Sequence, residues 1–90
     1  MPSKYLQEIK NIDISNTNWK LVIVSNINPD YPTIRYENHT GKMIKIKPIK
    51  EKNTFNFLMQ IYNKNNIEVE IQYDTYVQAI NKTVDTIKMN

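Results

Sequence analysis

The stretch "YPTIRYENHTGKMIKIKPIKEK", residues 31–52, decides the fold that the sequence predicts. It contains the only glycine and the only histidine of the chain, both within His39-Thr40-Gly41. Apolar and polar residues alternate on either side of this tripeptide. A three-residue connection that ends in glycine is typical of a type I turn followed by a bulge, because glycine readily adopts the left-handed backbone conformation. The stretch therefore predicts a β-hairpin over residues 33–49.

The length of the turn also predicts which residues of the hairpin lie opposite each other, because the two strands start from a fixed closing pair. The expected pairs are Tyr36 with Ile44 and Ile34 with Ile46 on one face, and Arg35 with Lys45 and Thr33 with Lys47 on the other. The first face is apolar and the second polar throughout. The hairpin is therefore expected to turn its apolar face to the core and to lie at the centre of the sheet.

The chain has 90 residues, enough for one small domain with a single core, and we take residues 1–90 as that domain. It has no cysteine, which excludes disulfides and thiolate metal sites and is typical of a reducing compartment. No segment approaches the ~20 apolar residues that span a bilayer, and the N-terminus lacks an apolar signal region. The sequence therefore predicts a cytoplasmic protein that does not enter a membrane.

Apolar residues recur at helical spacing in three segments, residues 3–12, 53–64 and 75–88, which we expect to be helices. In the middle segment the helical stripe consists of Phe55, Leu58, Met59 and Tyr62, and a strand is the alternative for this segment. The third segment begins with Thr75 and Gln78 at the spacing of a capping box. The two outer helices would flank the strands at either end of the chain.

Two further segments are predicted to be strands. The unbroken apolar run at residues 21–24 is typical of a strand covered on both faces, so we expect residues 19–25 inside the sheet. Residues 67–73 alternate and indicate a half-buried strand. With the hairpin, these strands predict an α+β fold with a four-stranded, mixed or antiparallel sheet. A helix at 53–64 would also allow residues 43–49 to pair in parallel with 67–73.

The sequence offers little for catalysis. One glycine is too few for a phosphate-binding loop, and His39 is the only possible base for a serine nucleophile. His39 also lacks neighbours that would complete a metal site. Glu68 and Glu70 are expected on one face of a strand, about 7 Å apart, a separation that suits hydrolysis but is equally that of any solvated strand face. We therefore predict no enzyme activity, no metal site and no cofactor.

The lysines of the hairpin are the best indication of a function. Lys42, Lys45, Lys47, Lys50 and Lys52 could bind nucleic acid, with Arg35 across the hairpin. Three observations argue against that interpretation. Tyr36 is expected on the face opposite the lysines, Glu68 and Glu70 would neutralise Lys45 and Lys47 if the two strands were adjacent, and the net charge is only +3. The lysines are also explained as the solvated side of a strand.

We expect the protein to act by docking on a protein partner, as an inhibitor or modulator or as a small part of an assembly. The predicted contact residues are Tyr31, Arg35, Lys45, Lys47 and Trp19: the aromatic and arginine side chains as anchors, the lysines to steer association. Alternatively, Trp19 and Tyr31 close the edge of the core. An accessory nucleic-acid-binding protein and a toxin or antitoxin are the other interpretations. Abundant lysine, asparagine and isoleucine indicate an A/T-rich source such as a phage or mobile element.

Overall fold

The computed structural model describes residues 4–25, 27–28 and 30–89. The elements in chain order are α1 (Lys4–Asn11), β1 (Trp19–Ser25), β2 (Thr33–Asn38), β3 (Lys42–Glu51), β4 (Thr54–Asn63), β5 (Asn66–Tyr73) and α2 (Tyr76–Met89). The five strands form one sheet in the order β1-β2-β3-β4-β5, and every neighbouring pair is antiparallel. The fold is thus α+β, as predicted, with strands that follow one another along the chain.

Both helices contribute to a core on one face of the sheet. Ile9 of α1 and Tyr76, Ala79, Ile80 and Ile87 of α2 are buried in the same cluster as apolar residues of the strands. From the strands this cluster takes the following residues: Trp19, Ile34, Tyr36, Ile44, Ile46, Phe57 and Met59. Within each strand these buried residues occupy every second position, because successive side chains of a strand point to opposite faces.

The predicted hairpin is confirmed. Ile34 pairs with Ile46, Arg35 with Lys45 and Tyr36 with Ile44. Gly41 has a φ of 92° and donates its N–H to the carbonyl of Asn38 over 3.2 Å, as the turn requires. The Gly41 carbonyl in turn accepts the N–H of Lys64 over 2.8 Å. This bond joins the β2–β3 turn to the β4–β5 turn.

The predicted helix at 53–64 is wrong, because this segment forms strand β4. Phe55 and Met59 of the supposed helical stripe lie on the helix-covered face, whereas Leu58 and Tyr62 lie on the other face. A strand with apolar side chains on both faces thus imitated helical spacing. Two-residue turns at Lys52-Asn53 and Lys64-Asn65 enclose β4, and the lysine of each has a positive φ, which sequence alone rarely indicates for lysine.

Three further predictions about the sheet are wrong for related reasons. The additional strand raises the number from four to five. Because β4 lies between β3 and β5, residues 43–49 do not pair with residues 67–73, and no described pair is parallel. The strand at residues 19–25 lies at an edge of the sheet instead of inside it. The hairpin supplies the central strand β3, as expected.

The predictions for the two outer helices hold. The first spans Lys4–Asn11, and residue 3, its predicted start, lies outside the described residues. The second spans Tyr76–Met89 and has the predicted capping box. Gln78 donates its N–H to Thr75 Oγ1 over 3.1 Å, while the Gln78 side chain accepts the N–H of Thr75 over 3.3 Å.

Two buried tyrosines differ in how their hydroxyls are satisfied. Tyr76 donates its hydroxyl to the buried carbonyl of Pro32 over 2.6 Å. The hydroxyl of Tyr36 is also buried but has no hydrogen-bond partner among the described residues. A buried polar group without a partner keeps its desolvation cost, whereas a paired group recovers most of it.

We expect the replacement Tyr36→Phe to raise the free energy of unfolding by about 1 kcal/mol, because it removes a hydroxyl that is buried without a partner. Tyr76→Phe is the matched control and should lower it by about 1–2 kcal/mol, because the Pro32 carbonyl loses its donor. Urea denaturation of the three proteins measures both changes. Equal destabilisation by the two replacements would show that the Tyr36 hydroxyl is satisfied.

Burial raises the pKa of Tyr36 from 10.0 to about 12, and it also raises the pKa of Tyr76. Between these two values the Tyr36 phenol keeps its proton in the folded state and releases it in the unfolded state. The neutral phenol of Tyr36 therefore makes its full contribution to the free energy of unfolding below pH 10, and this contribution is lost as the pH rises towards 12. We expect Tyr36→Phe to reduce this alkaline loss by up to about 1.4 kcal/mol per pH unit, measured by urea denaturation between about pH 8 and 11.5. Parallel pH curves for the two proteins would contradict the expectation.

Candidate binding surface

The face of the sheet opposite the helices is the candidate binding surface, and we call it the open face. No described helix packs on it. The residues that the strand registers place on this face include Lys20, Val22, Thr33, Arg35, Glu37, Met43, Lys45, Lys47, Ile49, Glu51, Thr54, Asn56, Leu58, Gln60, Tyr62, Ile67, Glu70 and Gln72. Apolar and charged side chains are thus interleaved over five strands.

One row of paired residues crosses the whole open face. It runs from Val22 on β1 through Arg35, Lys45 and Gln60 to Glu70 on β5. Neighbouring strands are about 4.8 Å apart, so the cationic residues lie about 10–14 Å from the carboxylate at the far edge. This row is therefore basic over β2 and β3 and acidic at β5, and two further carboxylates, Glu37 and Glu51, lie beside it on β2 and β3.

Arg35 is oriented by a neighbour on its own strand. Its Nη2 donates to Glu37 Oε1 over 3.1 Å, and both side chains are about one third exposed. The Nε of Arg35 is buried and has no hydrogen-bond partner among the described residues. The ion pair thus restrains the guanidinium while leaving part of its donor capacity unused.

Gln60 organises the acidic side of the open face. It is only 6% exposed and accepts the hydroxyl of Tyr62 at its Oε1 over 3.1 Å. Its Nε2 donates to Glu70 Oε2 over 2.7 Å. Both ends of the amide are therefore occupied, which fixes the position of a phenol ring and a carboxylate on the surface.

Lys45 and Lys47 are half-buried, although they belong to a face without a helix. Lys47 lies opposite Leu58, which is only 7% exposed. Lysine buries its aliphatic stem along apolar surface and keeps its ammonium group in water. The stem of Lys47 thus helps to shield Leu58, and its charge stays at the surface.

The structure brings together three of the five predicted contact residues: Arg35, Lys45 and Lys47 share the open face. Trp19 belongs to the core on the other face and is 6% exposed, in agreement with the alternative that it closes the core. Tyr31 also packs against the core, with its ring 4.8 Å from that of Phe57 and 5.7 Å from that of Tyr5. The open face is therefore built without these two aromatic residues.

Sequence reasoning missed Leu58, Gln60 and Tyr62 on this surface because it assigned them to a helix. A signal was present: Phe55, Phe57, Met59 and Ile61 alternate with residues that include the polar Asn56 and Gln60. The same error hid an aromatic side chain beside the lysines. Tyr62 pairs with Met43 and is thus a diagonal neighbour of Lys45.

The predicted neutralisation of Lys45 and Lys47 by Glu68 and Glu70 is wrong, because β4 separates the two strands. Glu70 bonds to Gln60 instead. The prediction that Glu68 and Glu70 lie on the same face of the strand is also wrong. The register shifts at Glu68, and this residue lines a groove with Trp19 and Thr86 on the helix side. A bulge, which inserts one extra residue, accounts for the change of face.

The other candidate sites remain without support from their surroundings. His39 is exposed in the β2–β3 turn. Among the described residues, no three histidine, aspartate or glutamate side chains gather at a possible metal site. None of the described helices is long and apolar enough to cross a membrane.

Comparison of the chain with protein-family models, with curated proteins and with solved structures gives no match in any of the three. The function is therefore argued from the open face alone.

Proposed function

We propose that this protein is a non-enzymatic binding protein that docks on a protein partner through the open face of its sheet. The observation that carries this proposal is the open face itself, which has apolar side chains on β1, β3, β4 and β5 and charged ones on β1, β2, β3 and β5. Such a mixture is typical of protein interfaces, which combine apolar contact with polar positioning. The partner would be modulated by this docking or would assemble with the protein.

The half-buried apolar side chains would supply the desolvated centre of the interface. Val22, Met43, Ile49 and Tyr62 are partly accessible and lie on three different strands, β1, β3 and β4. Tyr62 suits an anchor because Gln60 already restrains its hydroxyl, so docking costs little further side-chain entropy. Arg35 suits the same purpose because Glu37 restrains its guanidinium.

The charge distribution indicates the kind of surface that the partner presents. Four cationic residues of the open face, Lys20, Arg35, Lys45 and Lys47, outnumber the two carboxylates, Glu37 and Glu51, on β1 to β3, whereas Glu70 lies at the opposite edge. A partner with an acidic patch over β2 and β3 would match this pattern. Lys45 and Lys47 would mainly accelerate association, because partly solvated charges act over a distance.

Nucleic acid is the second candidate, and one observation favours it: Tyr62 lies on the same face as Lys45 and could stack on a base beside a phosphate contact. Two features make a protein the better choice. Glu37, Glu51 and Glu70 share the face with the four cations, and Arg35 is already paired with Glu37. Anionic groups within the contact surface would repel phosphates.

We expect the double replacement of Lys45 and Lys47 by glutamate to abolish capture of the partner, because it reverses the charge over β3. Lys50→Glu with Lys82→Glu is the matched control, since these exposed lysines lie on the helix side and give the same change in net charge. The measurement uses a photo-crosslinker at Met43, with the same group at Gln78 as a second control, in lysate of the source cells. Adducts should form from Met43 only and should disappear with the first pair of replacements. Equal adducts from Gln78 would contradict docking on the open face.

A salt series separates the two candidate partners. A protein that uses three or four of the cations on phosphates should lose about 20- to 50-fold in affinity for single-stranded DNA or RNA between 50 and 200 mM salt. We expect no binding to either nucleic acid at 150 mM salt, measured by fluorescence anisotropy with labelled oligonucleotides. Binding with a steep salt dependence that Lys45→Glu and Lys47→Glu remove would make nucleic acid the partner.

A further inference from the structure

The edge strand β1 has a sequence that does not suit its position. Its run Leu21-Val22-Ile23-Val24 is typical of a strand covered on both faces, yet no described helix covers the open face of β1, and β1 has a described neighbour on one side only. Leu21, Val22 and Ile23 are only half-buried, and Val24 is 44% exposed. Edge strands that stay unpaired usually carry charges, and β1 carries only Lys20.

The backbone of β1 is available for a further strand. Trp19 donates its N–H to Thr17 Oγ1 over 3.2 Å, so this group points away from β2. Because the direction alternates along an antiparallel strand, the N–H groups of Leu21 and Ile23 point the same way. The register with β2 is regular from Trp19 to Ile23, and Val24 is an extra residue before Ser25 pairs with Thr33. A further strand would thus have five regular residues for pairing.

The opposite edge, β5, lacks these properties. Glu68 and Glu70 interrupt its apolar residues, and the irregular register at Glu68 disturbs the strand. Antiparallel pairing of β5 with a second β5 centred on Val69 would place Glu68 opposite Glu70, which is unfavourable. The two edges thus differ: β5 resists self-pairing and β1 does not.

We propose that β1 pairs with β1 of a second copy of this chain, in antiparallel orientation about a two-fold axis at Leu21. Trp19 then faces Ile23 of the second copy, and Leu21 faces the second Leu21, both on the helix-covered side. Lys20 faces Val22 of the second copy on the open face, so no like charges meet. The pairing forms about four backbone hydrogen bonds between the two copies, and the N–H of Trp19 takes no part because it already donates to Thr17 Oγ1. It joins two sheets into one of ten strands with a continuous open face.

This register is tested by changing the charge at residue 22, which lies opposite Lys20 twice in each dimer. Val22→Lys should weaken association about tenfold, and Val22→Glu should strengthen it about tenfold, because the two symmetric pairs become repulsive or attractive. Val22→Thr should associate like the unchanged protein. Val69→Lys on β5 is the matched control and should also have no effect. Sedimentation equilibrium between about 1 µM and 1 mM measures the constants, and a short strand contact is expected to dimerise at micromolar concentrations or above.

Hydrogen exchange gives a second measurement that does not depend on the variants. The amides of Leu21 and Ile23 should gain protection as the protein concentration rises, whereas the amides of β5 should not. A monomer up to about 1 mM overturns the proposal, and so does growth beyond a dimer, which would indicate pairing of β1 with β5. Indifference to both Val22→Lys and Val22→Glu in a protein that dimerises would likewise overturn this register. Thermal melts verify that each variant is folded.

Discussion

The left-handed turn at Gly41 is the constraint on which the rest of the structure depends. It fixes the pairing of β2 with β3, and each later strand is paired to the one before it, so this register determines which side chains of β4 and β5 face the helices. The bond from Lys64 N–H to the Gly41 carbonyl couples the far hairpin to the same turn. A slip of β2 by one residue against β3 would bury Arg35 and expose Tyr36. The core and the open face are therefore two results of one register.

The hairpin, the outer helices and the capping box could be predicted because each rests on a local rule: a turn, a periodicity or a side chain that bonds to the nearby backbone. Strand β4 could not, because its two faces are both partly apolar and its turns use lysine at positive φ in place of glycine or asparagine. The edge position of β1 could not be predicted either, since the order of strands in a sheet depends on the number of strands and on how they pair. Of the predicted contact residues, the charged ones were placed on the open face by the hairpin register, whereas no register placed Trp19 and Tyr31.

The lysine row of residues 31–52 has a mixed explanation. Lys47 lies over the buried Leu58, so its stem contributes to the fold whatever its charge does. Lys45 lies opposite Gln60, whose amide is already satisfied by Tyr62 and Glu70, so the fold needs nothing polar from Lys45. Its ammonium is thus the charge least explained by structure, and Arg35, its cross-strand neighbour, is paired incompletely. Two adjacent cations held in this way are easier to understand as a surface kept for a partner than as the wet side of a strand.

A pairing of two copies through β1 would change what the open face can bind. The axis at Leu21 would bring Lys20 and Val22 of one copy beside the same residues of the other, so the basic halves would lie together at the centre and both Glu70 side chains at the outer edges. A partner with one acidic patch would then meet a basic surface about twice as wide, and a partner with two patches would bind with the second contact already at high effective concentration. Because the β1 edge and the open face share Lys20 and Val22, dimerisation and docking would be coupled through the same side chains. Weak self-association would therefore be enough to make docking depend on the concentration of the protein.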